Sequence, residues 1–211
     1  MAAEGEIVRV GVVADTHCPE FLDRLPGRVA ELLAGVDMIL HAGDITSLET
    51  LAELGRIAPV EAVLGDHDSG LDLPRRRLIE VEGRRIGLLH GNRSHLFEEP
   101  ATFLGTISLG LWWPTLGLER FLRGAFPDAD VVVYGHTHFA SSRRVGGVLL
   151  FNPGPVYQVT PYEADRRLAR GPSWFAWSWL QVIRHRRDRP RPSVGRLEIG
   201  PRGITASILP L

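Results

Sequence analysis

The chain has 211 residues, 44% of them hydrophobic and 23% charged, and a formal net charge of −1. That length suits one domain with a sizeable core, and so small a charge excludes a global field for nucleic acid or acidic membranes. The single cysteine, Cys18, excludes an intramolecular disulfide framework and suits a reducing cytosol. The first residues carry acids where a secretory leader carries bases, so no targeting segment is expected, and a cytoplasmic location is.

In chain order, Ile7 to Ala14 reads as a buried strand ending in Asp15-Thr16-His17. Arg28 to Leu33 has helical spacing, with Gly35 as its stop. Asp37 to Leu40 is a second strand, ending His41-Ala42-Gly43-Asp44, and Ser47 caps a helix over 48–57. Val60 to Leu64 is a third strand, ending Gly65-Asp66-His67-Asp68. This β-α-β-α-β order predicts a parallel sheet, whose ligands lie at the strand C-terminal ends. Leu78 to Val81 and Arg85 to Leu89 then read as a hairpin, followed by His90-Gly91. A long connection over 92–130 holds a helix near Leu116 to Leu122. Val131-Val132-Val133-Tyr134 is the central strand, leading into Gly135-His136-Thr137-His138. Ser142 to Val145 and Val148 to Phe151 form a hairpin about Gly146-Gly147, and Val194 to Ile199 and Ile204 to Ile208 form a closing one. Tyr157 to Pro192 reads as irregular chain rich in Trp.

Two histidines at i and i+2 on a regular strand point to opposite faces. For His136 and His138 to meet one centre the strand must end and the chain turn, which Gly135 is expected to permit. With them, Asp15, His17, Asp44, Asp66 and His90 make seven acid or imidazole groups at five strand ends. Singly, Asp15 and Asp44 could be helix caps, and each histidine a satisfied core residue. As a set they exceed the four ligands of a tetrahedral zinc. They suit two metals about 3.5–4 Å apart sharing a carboxylate. Such a pair acidifies a bridging water, polarises two phosphoryl oxygens and aligns the phosphorus with the attacking hydroxide, so no protein nucleophile is needed.

Asp15-x-His17, Gly43-Asp44, Gly65-Asp66-His67-Asp68, His90-Gly91 and Gly135-His136-x-His138 resemble the five motifs of the calcineurin-like metallophosphoesterases. With Asn152-Pro153-Gly154, the chain looks most like the small bacterial and archaeal phosphodiesterases related to the retromer-subunit fold. The resemblance implies a four-layer αββα sandwich, two mixed sheets flanked by helices, in one domain over 1–211. It implies a first metal on Asp15, His17 and His138, a second on Asp66, His90 and His136, and Asp44 bridging. The two divalent ions are expected to be manganese, with iron, zinc, nickel or cobalt as alternatives. His67 would meet the substrate, stabilising the transition state or protonating the leaving oxygen, unless it only orients through Asp68. His41 and Asp68 are expected behind the ligands, and His95 and His185 at the surface.

The family's usual residue at position 66 is Asn; here it is Asp. An added carboxylate lowers the net charge of a loaded site by one. The expectation is tighter metal retention, weaker attraction for a doubly charged monoester and a lean towards singly charged diesters; a degraded site is the other reading.

Two aromatic-rich additions, at about 98–118 and 157–192, fall outside the resemblance. They could pack as an extra layer, make a homo-oligomer contact, cover the site as a lid, or lie on a membrane beside Arg184-His185-Arg186-Arg187. Pro100 to Leu118 is also 19 residues without charge, near the length of a bilayer span, but is broken by Pro114 and three glycines. The function expected is hydrolysis of a small phosphate ester, a diester before a monoester. The alternative is a catalytically weak protein-binding scaffold of the same fold. Nucleic-acid binding is not expected, since no basic groove can be read from the sequence.

Overall fold

The computed structural model describes residues 6–93, 103–105, 117–185 and 191–211. By its internal contacts the chain divides into two compact units, one of residues 1–91, 119–157 and 190–211, the other of 92–118 and 158–189.

The first unit is built on two five-stranded sheets. One has the order β10-β9-β1-β2-β3, with β1 (Val8–Val13), β2 (Met38–His41) and β3 (Val60–Ala62) parallel, and β9 (Ser193–Gly200) and β10 (Gly203–Pro210) antiparallel beside them. The other has the order β4-β5-β6-β8-β7. In it β5 (Arg84–Leu89), β6 (Val131–Val133) and β8 (Val148–Asn152) are parallel, and β4 (Arg76–Val81) and β7 (Ser141–Val145) are antiparallel edges. Both sheets are therefore mixed, as expected. The two-residue turns Glu82-Gly83 and Gly146-Gly147 have φ of 49°, 69°, 57° and 87°, the doubly left-handed geometry that matches strand twist in tight hairpins.

Alternation along the strands assigns the layers. Val10, Val12 and Leu40 of the first sheet meet Ile86, Leu88, Val131, Val133, Leu149 and Phe151 of the second in one buried cluster. Val13 and Ile39 point the other way, onto Val29 and Leu33 around α1 (Gly27–Leu32) and Leu54 of α2 (Leu48–Gly55). Ser47 caps α2, its Oγ accepting from the Thr50 amide. On the outside of the second sheet, Gly87 lies against Phe126, just after α3 (Leu118–Ala125); a Cβ at 87 would sit 2.4 Å from that ring. The order helix, sheet, sheet, helix is the expected four-layer α/β sandwich.

The second unit corrects one expectation. Residues 157–192, read as irregular, contain α4 (Pro161–Leu168) and α5 (Trp174–His185). The start signal of α4 is present in the sequence: Thr160 caps by accepting from the Glu163 amide, and Pro161 occupies the first turn, where a missing amide costs nothing. The Trp and Phe of α5 masked its helical spacing. The two helices pack together, with Arg184 paired to Asp165 at 2.8 Å. Most of Pro100 to Leu118 lies outside the described residues, as do His95, Trp112, Trp113, Arg186, Arg187 and the side chain of His185. Among the described residues no helix is long and apolar enough to cross a membrane.

Phe151 is the largest fully buried side chain among the described residues, set between the two sheets. Phe151→Ala should lower unfolding free energy by about 3–5 kcal/mol, read as a shifted urea midpoint with an unchanged slope.

Candidate metal centre

The C-terminal ends of β1, β2, β3, β5 and β6 converge, and the chain turns sharply just beyond them. Asp15, His17, Asp44, His136 and His138 all have left-handed backbones, with φ of 52°, 46°, 57°, 63° and 55°. Asp and His enter this region more readily than most residues, yet each such position still costs of order 1–3 kcal/mol. The turns persist because they are bonded to one another: the amide of Asp15 donates to Gly43 O and that of His17 to Asp44 O, both at 3.0 Å.

The turn after β6 differs from expectation in mechanism. The left-handed bends fall on His136 and His138 themselves, not on Gly135. Gly135 is required for space: a Cβ there would lie 2.9 Å from both Ala14 Cβ and Asp15 Oδ2. Gly65 plays the same part on the other side, since its Cβ would lie 2.2 Å from Asp44 Oδ1.

All seven strand-end groups come together. Asp15, His17 and His138 each present a ligand-type atom within 4.8 Å of the others, and so do Asp66, His90 and His136. Asp44 lies between them, its Oδ2 3.5 Å from His17 Nε2 and 3.3 Å from His90 Nε2. His138 Nε2 is 3.5 Å from Asp15 Oδ1, and His136 Nδ1 is 3.3 Å from Asp66 Oδ2. Asp15, His17, Asp44 and His90 are buried, while Asp66 is open to solvent.

The electrostatics of this cluster call for a cation. His90 Nδ1 lies 2.8 Å from Ala42 O, so that nitrogen carries the hydrogen and Nε2 of the neutral ring keeps its lone pair. That lone pair faces Asp44 at 3.3 Å and Asp66 at 4.0 Å, and makes no hydrogen bond among the described residues. Asp15 Oδ2 is likewise buried without a hydrogen-bond partner among them. Burial by itself lowers the pKa of His90, but the Asp44 and Asp15 carboxylates outweigh it and raise the value. Burial works against the Asp44 anion too, yet the His90 ring, the His67 amide and His17 hold its carboxyl far below the usual range. Asp66 is held down first by its hydrogen bond with His136, and burial lowers the pKa of His17. Buried imidazole lone pairs facing ionised carboxylates form the donor set of a divalent metal.

Asp68 and His41 act behind this cluster. Asp68 accepts four backbone N–H bonds, from Asp44 (2.9 Å), Ile45 (2.7 Å), Thr46 (2.7 Å) and Gly65 (2.7 Å), tying the turn after β2 to the turn after β3. His41 accepts from the Gly43 amide at Nδ1 (3.2 Å), so its Nε2 donates to Thr16 Oγ (3.1 Å), and Thr16 donates on to Asp44 O (3.2 Å). His41 thus steadies the backbone of the Asp15 and Asp44 turns. His67 does not bond to Asp68. Its amide donates to Asp44 Oδ1 at 2.9 Å, and its Nδ1 lies 2.9 Å from Glu20 Oε2.

The roles of two residues at the site have no part in the sequence reading. Glu20 faces both His17 and His67, and nothing in its spacing announces it. Asn152 donates from Nδ2 to Gly135 O (2.7 Å) and Thr137 Oγ (3.1 Å), bracing the histidine turn. Asn152-Pro153-Gly154 marked the resemblance, but that bracing role needed the tertiary contact.

This fold and cluster define an α/β sandwich with a metal-type centre at the converging strand ends of its two sheets. A family model for the calcineurin-like phosphoesterase superfamily domain matches residues 8–167. The chain is 40% identical over 147 residues to a probable metallophosphoesterase of Methanothermobacter thermautotrophicus, covering 69% of this chain and 75% of that one. Among solved structures, vacuolar protein sorting 29 from Cryptosporidium parvum aligns at a TM-score of 0.61 and 22% identity, over 97% of this chain and 96% of that one. An archaeal phosphodiesterase aligns at 0.55 and 19%, over 96% and 100%. The chain belongs to the calcineurin-like phosphoesterase superfamily. That family implies divalent metal ions.

His41 is fully buried, and burial pushes its pKa from the ordinary 6.5 down to about 4. A depressed folded value means stability present above pH 6.5 and lost as pH falls through about 4. Acid should therefore cost the metal-free protein on the order of 3 kcal/mol across that window. In His41→Gln the slope of unfolding free energy against pH should shrink there.

Proposed function

We propose that this protein hydrolyses a phosphodiester at a binuclear centre, with Asp15, His17 and His138 holding one divalent ion, Asp66, His90 and His136 a second, and Asp44 shared. The observation that carries this reading is the pair of three-residue clusters with the Asp44 carboxylate between them. Two bound dications would acidify a water between them and polarise the phosphoryl oxygens of the ester. Manganese is the first choice, and the mixed oxygen and nitrogen donors also suit iron, zinc, nickel or cobalt.

The chain's own residues then do three things. The strained turns, braced by Asp68 and Asn152, hold five of the seven donors in place before any ligand arrives, so less reorganisation remains to be done on binding. His67, whose side chain is 42% exposed beside the buried ligands, meets the ester and gives a proton to the leaving oxygen as the P–O bond breaks. Asp66 adjusts charge. Three carboxylates against two dications leave one net positive charge, where Asn at 66 would leave two. The smaller charge holds a dianionic monoester less well and costs a monoanionic diester less.

Scaffolding is the second reading. Trp174 and Trp177, three apart on α5, are 67% and 49% exposed, a surface suited to a protein partner, a second copy of the chain or a bilayer.

Metal-stripped protein resupplied with Mn, Zn, Ni or Mg should turn over an aryl phosphodiester, and Asp44→Asn should lose on the order of 100-fold or more. No turnover with any metal would favour the scaffold. Asp66→Asn should raise monoester turnover relative to diester severalfold; an equal change in both would sink the charge argument.

A further inference from the structure

Glu20 lies in the irregular chain after β1, outside every motif that marks the family. Its carboxylate faces two imidazoles. Oε2 and Oε1 are 2.9 and 3.1 Å from His67 Nδ1, and Oε2 is 3.5 Å from His17 Nδ1. The His67 and His17 rings stand edge to face, 4.7 Å apart at 85°. An ionised carboxylate only accepts hydrogen bonds, so the nitrogen facing it carries the hydrogen. In His67 that leaves Nε2, on the far side of the ring, as the nitrogen available to a substrate. In His17 it leaves Nε2, the atom 3.5 Å from Asp44 Oδ2. One carboxylate thus sets the working nitrogen of both rings. The His67 amide is held by Asp44 Oδ1 (2.9 Å), so the residue is fixed at its backbone as well as at its ring Nδ1.

We infer that Glu20 is the positioning residue of the site: it holds His67 as the Nδ1–H tautomer with Nε2 turned to the leaving group, and braces His17 from behind its metal-facing nitrogen. The catalytic half of this inference rests on the phosphoesterase reading above; the tautomer half stands on its own. In the reaction, His67 first takes a proton from solvent on Nε2 while Glu20 faces its Nδ1–H; the Nε2 proton then passes to the leaving oxygen as the P–O bond breaks, a water-derived oxygen takes the place on phosphorus, and His67 returns to the neutral Nδ1–H tautomer. A carboxylate behind a working imidazole is typically worth 10- to 100-fold in activity or metal affinity.

The test uses the full chain as wild type, Glu20→Ala, Glu20→Gln, His67→Ala and the Glu20→Ala/His67→Ala double variant. Long-range ¹H–¹⁵N spectra report the tautomer of each histidine. Wild-type His67 should be Nδ1–H; Glu20→Ala should shift it towards Nε2–H, and Glu20→Gln, whose amide oxygen still accepts, should restore it. At saturating Mn, Glu20→Ala should lower kcat about 10- to 100-fold on an alkyl phosphodiester, which needs its leaving oxygen protonated. It should cost far less on a nitrophenyl diester, with KM little changed. The double variant should be no slower than His67→Ala.

A wild-type Nε2–H tautomer at His67 overturns the inference. So do equal losses on both esters, or losses that multiply in the double variant. A third bound metal ion lost in Glu20→Ala overturns it as well, by assigning the His17, Glu20 and His67 cluster to metal binding. If the wild type cleaves neither ester with any metal, the proposed function fails, and the tautomers alone decide the role of Glu20.

Discussion

Asp68 holds the site together. Its two carboxylate oxygens take four amide hydrogens from the turns after β2 and β3, and those turns carry Asp44 and Asp66. A carboxylate has about four good acceptor positions, so this one is fully used inside the protein. Asn152 does the corresponding work for the turn that carries His136 and His138. These two side chains brace the strained turns at Asp44, His136 and His138, and the carbonyls of Gly43 and Asp44 hold those at Asp15 and His17. The strain is local, and it aims side chains that regular strands would send to alternate faces.

The sandwich supplies the second condition. Donors come from two sheets, with Asp15, His17, Asp44 and Asp66 following strands of one and His90, His136 and His138 following strands of the other. Only the apolar layer of Val10, Val12, Leu40, Ile86, Leu88, Val133 and Phe151 brings those strand ends within a few ångströms. Core packing and chemistry are therefore linked: a shift of one sheet against the other would pull Asp44 away from His17 or His90, the two imidazoles it lies between. The close approach also explains the glycines at 43, 65 and 135, where a Cβ would meet a neighbouring turn or ligand atom.

Much of this was legible in the sequence because the signals are local. Val-rich runs followed by an acid or imidazole mark strand ends, and Ser47 marks the start of a helix. The Trp-rich stretch over 157–192 misled, since bulky aromatics hid the spacing of α5, although Thr160, Pro161 and Glu163 announce α4. The role of Gly135 was misassigned for a related reason. Glycine before a histidine pair suggests a flexible turn, but the demand is for room against Ala14 and Asp15, which are 120 or more positions away in the chain.

The sequence by itself determined the order of the strands and of the helices before residue 157, the seven groups at five strand ends, and the acid at position 66 that alters their charge. Residue type and hydrophobic period carry that information along the chain. The tertiary structure alone decided that Asp44 lies between two clusters, that His41 acts through Thr16 on a backbone turn, and that Glu20 faces His17 and His67. Those relations depend on distances between segments far apart in sequence. Such distances are set by how the two sheets pack, which no local pattern encodes.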